Sequence, residues 1–562
     1  MSDLVHNRAA HGPRVLDDVR VLDFTAVIAG PYCTRMLADL GADVLKVEGP
    51  EGENMRHLAP LRGDCSAVFA ALNSGKRSLC LDLKQGAAID LIKRLVPRYD
   101  VVVENYSPGV MTRLGLDYGA VHARNPLAVY VSVSPFGHGG PYGTYRGGDL
   151  VVQAAGGHSY LNGPPERPMR LSVESSFAQG SVQAAVGAMI AHYHRERTGI
   201  GQHVDVSMQE AVAYTLDEHP AAWDILREIH PRYGVGRVVS RASLESTVFK
   251  CKDGWICSLY YFGLIGSTFE TAATLFERFQ VDISELRSDE WQAKIATDFG
   301  SGVTREDEHR LIELSNELAS RATRRELREA CDEMGAWVGE VFTPAELLEN
   351  EHLAARGFWR AGEFQGKPVK LAGPPVILPA TPWVVPTDIR RATLDAVEFP
   401  GPRERGRVAP SAPGEGVFAG LRVADFSWVG VGPITARYLA DQGAEVIRIE
   451  SALHPDILRV VPPYVNDEAD IDLAGYYTTF NPSKLGASLN FRHPRARELA
   501  LRLIEKSDVV TDSYRPGVME RWGLRYEEVR ERRPDIIWIR MPMFGKARMQ
   551  LMPTWLRPPC SE

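Results

Sequence analysis

Val21–Glu48, VLDFTAVIAGPYCTRMLADLGADVLKVE, is the stretch from which the fold can be read. The apolar run Val21–Phe24 reads as a short buried strand. Ala29-Gly30-Pro31 breaks it, and Pro31 suits the first turn of a helix. Thr34–Leu40 has helical spacing, with Met36, Leu37 and Leu40 on one side. Gly41 is a natural residue just past a helix end. Val44–Glu48 reads as the next strand. The whole is one strand–helix–strand unit, and it occurs twice: Val423–Glu450, VADFSWVGVGPITARYLADQGAEVIRIE, repeats it.

Outward from the first copy, strands and helices continue to alternate. Arg77–Leu83 is a strand, Gly86–Arg98 a helix, Tyr99–Glu104 a strand, Val110–Leu114 a short helix and Ala128–Pro135 a strand. This alternation predicts a parallel sheet with helices on both faces. Ligands on such sheets bind beyond the carboxyl ends of the strands. The candidate binding rim is therefore Glu48–Arg56, Asn105–Arg113 and Ser134–Gly140. Gly147–Gly157 opens a small-residue helix. Val182–Arg197 is a long helix, Gln202–Ser207 a strand and Met208–Glu218 the start of another helix. Val248–Leu259 is a hairpin turning at Lys252-Asp253-Gly254.

These signals divide the chain. Residues 1–15 read as a leader without order. Residues 15–228 form the first part of a large domain, 229–374 a smaller α+β domain, and 375–397 a return to the first sheet. Residues 398–416, rich in Pro, Gly, Arg and Glu, read as a linker. Residues 417–545 repeat the start of the large domain: Asn481-Pro-Ser-Lys484 answers Asn73-Ser-Gly-Lys76, and Asp512–Leu524 answers Glu104–Leu116. Residues 546–562 have no counterpart in the first copy. The tail reads as a truncation that leaves the second module without its own small domain and return segment.

With 562 residues, 44% hydrophobic and 24% charged, the composition is that of a multidomain globular protein. A net charge of −8 argues against nucleic acid as the main ligand. No run of about 18 apolar residues offers a membrane span, and the start has no signal-peptide core. The seven cysteines are scattered, and none stands in zinc-ligand spacing with histidine. A cytoplasmic protein with reduced thiols and no metal is expected.

The quoted motifs, with LNSGKRSLCLDL, VVVENYSPGVMTRLGL, SVSPFGHGGPY, GGDLVVQAAGG and RTGIGQHVDVSMQEAV, resemble the class III CoA-transferase family, which also contains α-methylacyl-CoA racemase. The resemblance runs from about Val15 to Thr393 and again over the start of the second copy. It implies a Rossmann-like large domain built from both ends of the unit, a small domain, coenzyme A bound as acyl-CoA, a carboxylic acid as second substrate, and two subunits interlocked as a homodimer.

CoA needs cations for its phosphates and an apolar slot for adenine. The candidate binding residues are Arg56, Asn73, Lys76, Arg77, Asn105, Arg113 and Phe136. By resemblance, the loops around Lys76, Asn105 and Arg113 contact CoA. Asn105–Gly109 also reads as a plain turn after a strand, and Asp149 as a helix N-cap as much as an active-site acid. Enzymes of the family use an aspartate that forms an acyl anhydride and then a CoA thioester. Ser176 stands where that aspartate is expected, and a serine hydroxyl cannot form an anhydride. The nearest acid is Glu174, so the candidate catalytic residues are Glu174, Ser176 and Asp149. The racemases also use a histidine beside the acid matching Asp149. Here that position is Gly148, which disfavours α-proton exchange. The expected activity is CoA transfer between an acyl-CoA and a carboxylic acid. Its rivals are a racemase or isomerase, and a CoA-binding remnant of a tandem enzyme.

Overall fold

The computed structural model describes residues 14–543 apart from 64, 217–218, 233–235, 241–242, 247, 259–268, 296–303, 335, 337, 365–366, 384–389, 393–398, 400, 402–415 and 454. Most of the leader and linker, part of the return segment, the end of the hairpin and the tail expected from the sequence lie outside the described residues. The described residues within 1–159, 170–215 and 356–413 form one compact unit, and those within 160–169, 216–355 and 414–562 a second.

In the first unit the chain runs β1 (Arg20–Asp23), α1 (Ala29–Asp39), β2 (Asp43–Glu48), α2 (Ala67–Asn73), β3 (Arg77–Cys80), α3 (Gly86–Leu95), β4 (Val101–Glu104), α4 (Val110–Leu114), β5 (Val129–Ser134), α5 (Asp149–Ala155), α6 (Ser175–Thr198), β6 (His203–Ser207) and α7 (Met208–Ala213), closed by β7 (Arg390–Ala392). The sheet has seven strands in the order β7-β3-β2-β1-β4-β5-β6, and every pairing is parallel. Strands covered on both faces read as continuous apolar runs. Val21, Val44, Val101 and Val131 pack with Leu37 of α1 and Ala184 and Ala188 of α6. Their neighbours Leu22, Leu45, Val102 and Tyr130 pack on the other face with Ile92 of α3. One-residue alternation across each strand produces both layers.

The boundary that departs most from the sequence reading is the start of α6. Ser175 begins the helix, seven residues before Val182, and the helix is 24 residues long. Ser175–Gly180 has no apolar periodicity to announce it. The turn forms because the Ser176 amide donates to the buried Asp149 carboxylate, 3.1 Å away.

In the second unit, the hairpin Val248–Cys251 and Gly254–Ser258 is antiparallel and gains a third strand, Val338–Glu340. Phe249 and Ile256 pack there against Phe276, Leu314, Leu318 and Leu327 from three helices. The repeat supplies β8 (Arg422–Asp425), α8 (Val431–Asp441), β9 (Glu445–Glu450), β10 (Leu485–Ser488), β11 (Val509–Asp512) and β12 (Ile537–Arg540). They form a five-stranded parallel sheet ordered β10-β9-β8-β11-β12. This is the order of β3-β2-β1-β4-β5, so the sequence repeat is also a topological repeat.

The turn leaving β1 is held by buried charge. Asp23 accepts hydrogen bonds from the Thr25 amide and hydroxyl, at 2.8 and 2.5 Å, and from Thr34 Oγ1 at 2.7 Å. Its Oδ2 lies 3.2 Å from Lys76 Nζ, and neither side chain is more than 1% exposed. Lys76 Nζ also donates to Pro31 O and Asn73 Oδ1, at 2.9 and 2.8 Å. Burial works to raise the Asp23 pKa, but Lys76, Lys46 and the two threonines together hold it below its ordinary value. Burial lowers the Lys76 ammonium to about 8, against the pull of Asp23.

Removing Asp23 leaves Lys76 buried without its counter-ion. Asp23→Ala is expected to destabilise the first unit by about 3–5 kcal/mol, read as a lower denaturant midpoint. The exposed control Glu51→Ala stays within about 0.5 kcal/mol of the parent; equal midpoints for both variants would refute the keystone role of Asp23.

Candidate active site

Three loops meet the carboxyl ends of β2, β4 and β5. After β2, Arg56 grips Glu48 with two bonds of 2.6 Å, and its guanidinium lies 4.0 Å from the centroid of the Phe69 ring. Glu48 also accepts from the Ser78 hydroxyl. Burial works against the Glu48 carboxylate, yet Arg56, Ser78 and the Glu53 amide hold its pKa at about 2. Arg77 donates to Asp43 at 2.9 and 2.8 Å. Asp43 begins β2, so Arg77 is drawn toward the amino end of the sheet, away from the rim. Asn73 and Lys76 are buried and bonded to each other and to the β1 turn. Of the four cationic candidates, three therefore have carboxylate partners inside the fold.

Asn105 accepts from the Ala26 amide and donates to the Ala26 carbonyl, both at 2.8 Å. It thus fixes the turn after β1 against the loop after β4. The turn is demanding: Val27 takes φ +67°, and a Cβ on Gly30 would meet Thr25 Cβ at 2.4 Å, so only glycine fits there. Arg113 is exposed on α4. Phe136, after β5, packs edge-on to Tyr142 and Tyr145 at 5.8 and 6.4 Å, and these two rings stack at 5.0 Å. Both tyrosines are exposed. The rim thus offers Arg113 for phosphate and an aromatic platform for a flat base.

The catalytic candidates converge where α5 and α6 begin. Asp149 is the first residue of α5 and is buried. Its Oδ1 accepts from Ser176 Oγ at 2.7 Å and from the Ser176 amide. Its Oδ2 accepts from Gln153 at 2.6 Å and lies 3.8 Å from Arg170. Two helix starts and one guanidinium therefore surround this carboxylate. Ser176 is fully buried, with its hydroxyl directed at Asp149. Glu174 is exposed at the N-cap of α6, with no capping bond from its side chain. Ser181 Oγ donates to Ala29 O at 2.6 Å, which ties α6 to the β1 turn. Gly148 offers no acid or base beside Asp149, and His158 is bonded to Thr215 at 2.8 Å. The Asp149–Ser176 bond, with Gln153 and Arg170 behind it, had no signal in the sequence, because its partners are separated by a loop without pattern. Among the described residues no group of three His, Cys, Asp or Glu could hold a metal ion, and no helix is long and apolar enough to cross a membrane.

The profile of CoA-transferase family III matches residues 16–388 and 418–551. A succinyl-CoA–D-citramalate CoA-transferase of Chloroflexus aurantiacus is 33% identical over 351 residues, covering 61% of this chain and 82% of the relative. A probable CoA-transferase of Mycobacterium tuberculosis is 29% identical over 527 residues, covering 91% of this chain and 62% of the relative. The crystal structure of a CAIB/BAIF family protein from Brucella suis matches with a TM-score of 0.58 at 27% identity, covering 67% of this chain and 96% of that one.

The Glu48–Arg56 pair carries a pH signature. Glu48 is depressed to about 2 from an ordinary 4.5, so its stabilising contribution is complete above about 4.5 and is lost as pH falls toward about 2. Arg56→Gln is expected to lower stability at neutral pH and to flatten the acid limb of the stability profile. Parallel acid limbs for the variant and the parent would contradict this assignment.

Proposed function

The chain belongs to CoA-transferase family III, and on that footing we propose that it moves CoA from an acyl-CoA to a carboxylic acid through a thioester on Glu174. The observation that carries the reading is the exposed Glu174 carboxylate at the amino end of the 24-residue helix α6. The positive end of the helix there favours an anion. Asp149 and Ser176 act as positioning residues that fix the first turn of the helix. Arg113 and Phe136 serve the CoA phosphates and adenine, and Asn105 shapes their loop. The named relative from Chloroflexus aurantiacus takes succinyl-CoA, which suggests a short dicarboxylic acyl group as the donor.

The steps balance without a metal or redox partner. The Glu174 carboxylate attacks the thioester carbonyl, the C–S bond breaks, and CoA leaves as a thiolate from a mixed anhydride. The thiolate attacks the Glu174 carbonyl, releasing the donor acid and forming a glutamyl-CoA thioester. The acceptor carboxylate then displaces CoA to give a second anhydride. CoA attacks its acceptor carbonyl, which yields the new acyl-CoA and restores Glu174.

Burial of Ser176 at the position of the family's aspartate favours a second reading, CoA binding without transfer. Mass spectrometry of the protein incubated with succinyl-CoA separates the two. Transfer predicts a CoA-sized, hydroxylamine-sensitive adduct on the Glu174 peptide, absent in Glu174→Gln. Saturable succinyl-CoA binding with no adduct would replace transfer with binding alone.

A further inference from the structure

A cavity of about 260 Å³ opens in the first unit beneath the loop that joins β4 to α4. Arg113 and Phe136 do not line it. Its walls come from the ends of β4, β5 and β6, from α4, and from the segment Asp117–Gly119. Glu104, the last residue of β4, lies at its base with a side chain only 3% exposed.

Every group around Glu104 can be accounted for. One carboxylate oxygen accepts from the Tyr106 amide at 2.8 Å, and the Ser132 hydroxyl bonds to the carboxyl as well. Ser132 also bonds His203 Nε2 at 2.9 Å. The other carboxylate oxygen is 4.0 Å from His138 Nε2, beyond hydrogen-bond reach. His138 is itself committed to Asp205: its amide and its Nδ1 reach the two carboxylate oxygens at 2.9 and 3.0 Å. Gly137, at φ +76°, makes that double contact geometrically available.

The lining therefore has a definite sign. Among its twelve residues are Glu104 and Asp117 and no Lys or Arg, and the charge on His138 is offset by Asp205. Tyr118, stacked on His203 at 5.2 Å and 15°, and Tyr130 add aromatic walls. A buried carboxylate is costly unless donors reach it. An anionic recess with aromatic sides suits a positive ligand and repels the phosphates of CoA. Its volume, just under the range of about 300–1,000 Å³ usual for drug-sized ligands, limits the occupant to a compact molecule.

We propose that this cavity is a binding site for a small organic cation, an amine or amidine, whose N–H groups donate to Glu104 against the Tyr118 and Tyr130 rings. The site adjoins the CoA rim, because Ser107, Gly109 and His138 of the rim loops line it, and cation binding there does not depend on whether the protein transfers CoA.

Calorimetric titration of the full chain with agmatine and with benzamidine tests it, with succinate as the anionic comparison. One cation site per chain is expected, weakened at least about tenfold in Glu104→Gln, the loss of one charge-assisted bond. Thr112→Trp, at an exposed position on α4, fills the cavity without touching the buried charges, and is expected to abolish binding even if Glu104→Gln folds poorly. Equal cation affinity in wild type and Thr112→Trp, binding of succinate in place of the cations, or no heat from either cation at millimolar concentration would each overturn the proposal.

Discussion

Asp23 is the residue on which the rest of the first sheet depends. A strand that ends in a tight turn toward a helix leaves amides and hydroxyls pointing inward, where Asp23, Thr25 and Thr34 are buried. One carboxylate collects these donors and then requires a cation of its own, which Lys76 supplies from the start of β3. Such a pair adds little net stability over an apolar filling, but breaking it is expensive. The pair therefore constrains more than it stabilises: it fixes where β1 ends, where α1 begins and how closely β3 approaches. The second unit has the same device, with Asp425 3.1 Å from Lys484 Nζ and that ammonium on Pro433 O and Asn481 Oδ1.

This constraint explains which parts of the site were legible in the sequence. The strand–helix–strand unit, the parallel sheet and the rim loops could all be read, because apolar periodicity and glycine turns follow from backbone geometry. The identity of the CoA cations could not. A lysine before a strand and an arginine after one look alike whether they face a phosphate or a carboxylate. Lys76 is buried on Asp23, Arg56 is gripped by Glu48 and Arg77 is drawn to Asp43, and each of those acids is separated in sequence from its partner. Of the four cationic candidates, only Arg113 is exposed.

The Ser176 segment follows the same logic. Its motif was legible as a departure from the family pattern, but its consequence needed three dimensions. Asp149, twenty-seven positions earlier in the chain, caps the first turn of α6 and occupies the hydroxyl of Ser176. The Ser176 hydroxyl is satisfied by that bond. Glu174 is the acid that meets solvent at the start of α6.

The two copies of the fold separate scaffold from site. What recurs in the second copy is the buried part: the aspartate–lysine pair, the strand order and the link between the first turn and the loop after the fourth strand. Ser513 makes that link in place of Asn105, accepting from the Trp428 amide at 2.8 Å and donating to its carbonyl at 2.7 Å. What differs is the surface above it. Ala26 becomes Trp428, which stacks on Tyr514 at 6.4 Å. A bulky indole at the position that in the first copy is a methyl group narrows the space over the turn. Selection for folding alone is enough to keep the first set of features, since each is buried and mutually dependent. Selection for a ligand would act on the second set, and that is where the copies have diverged.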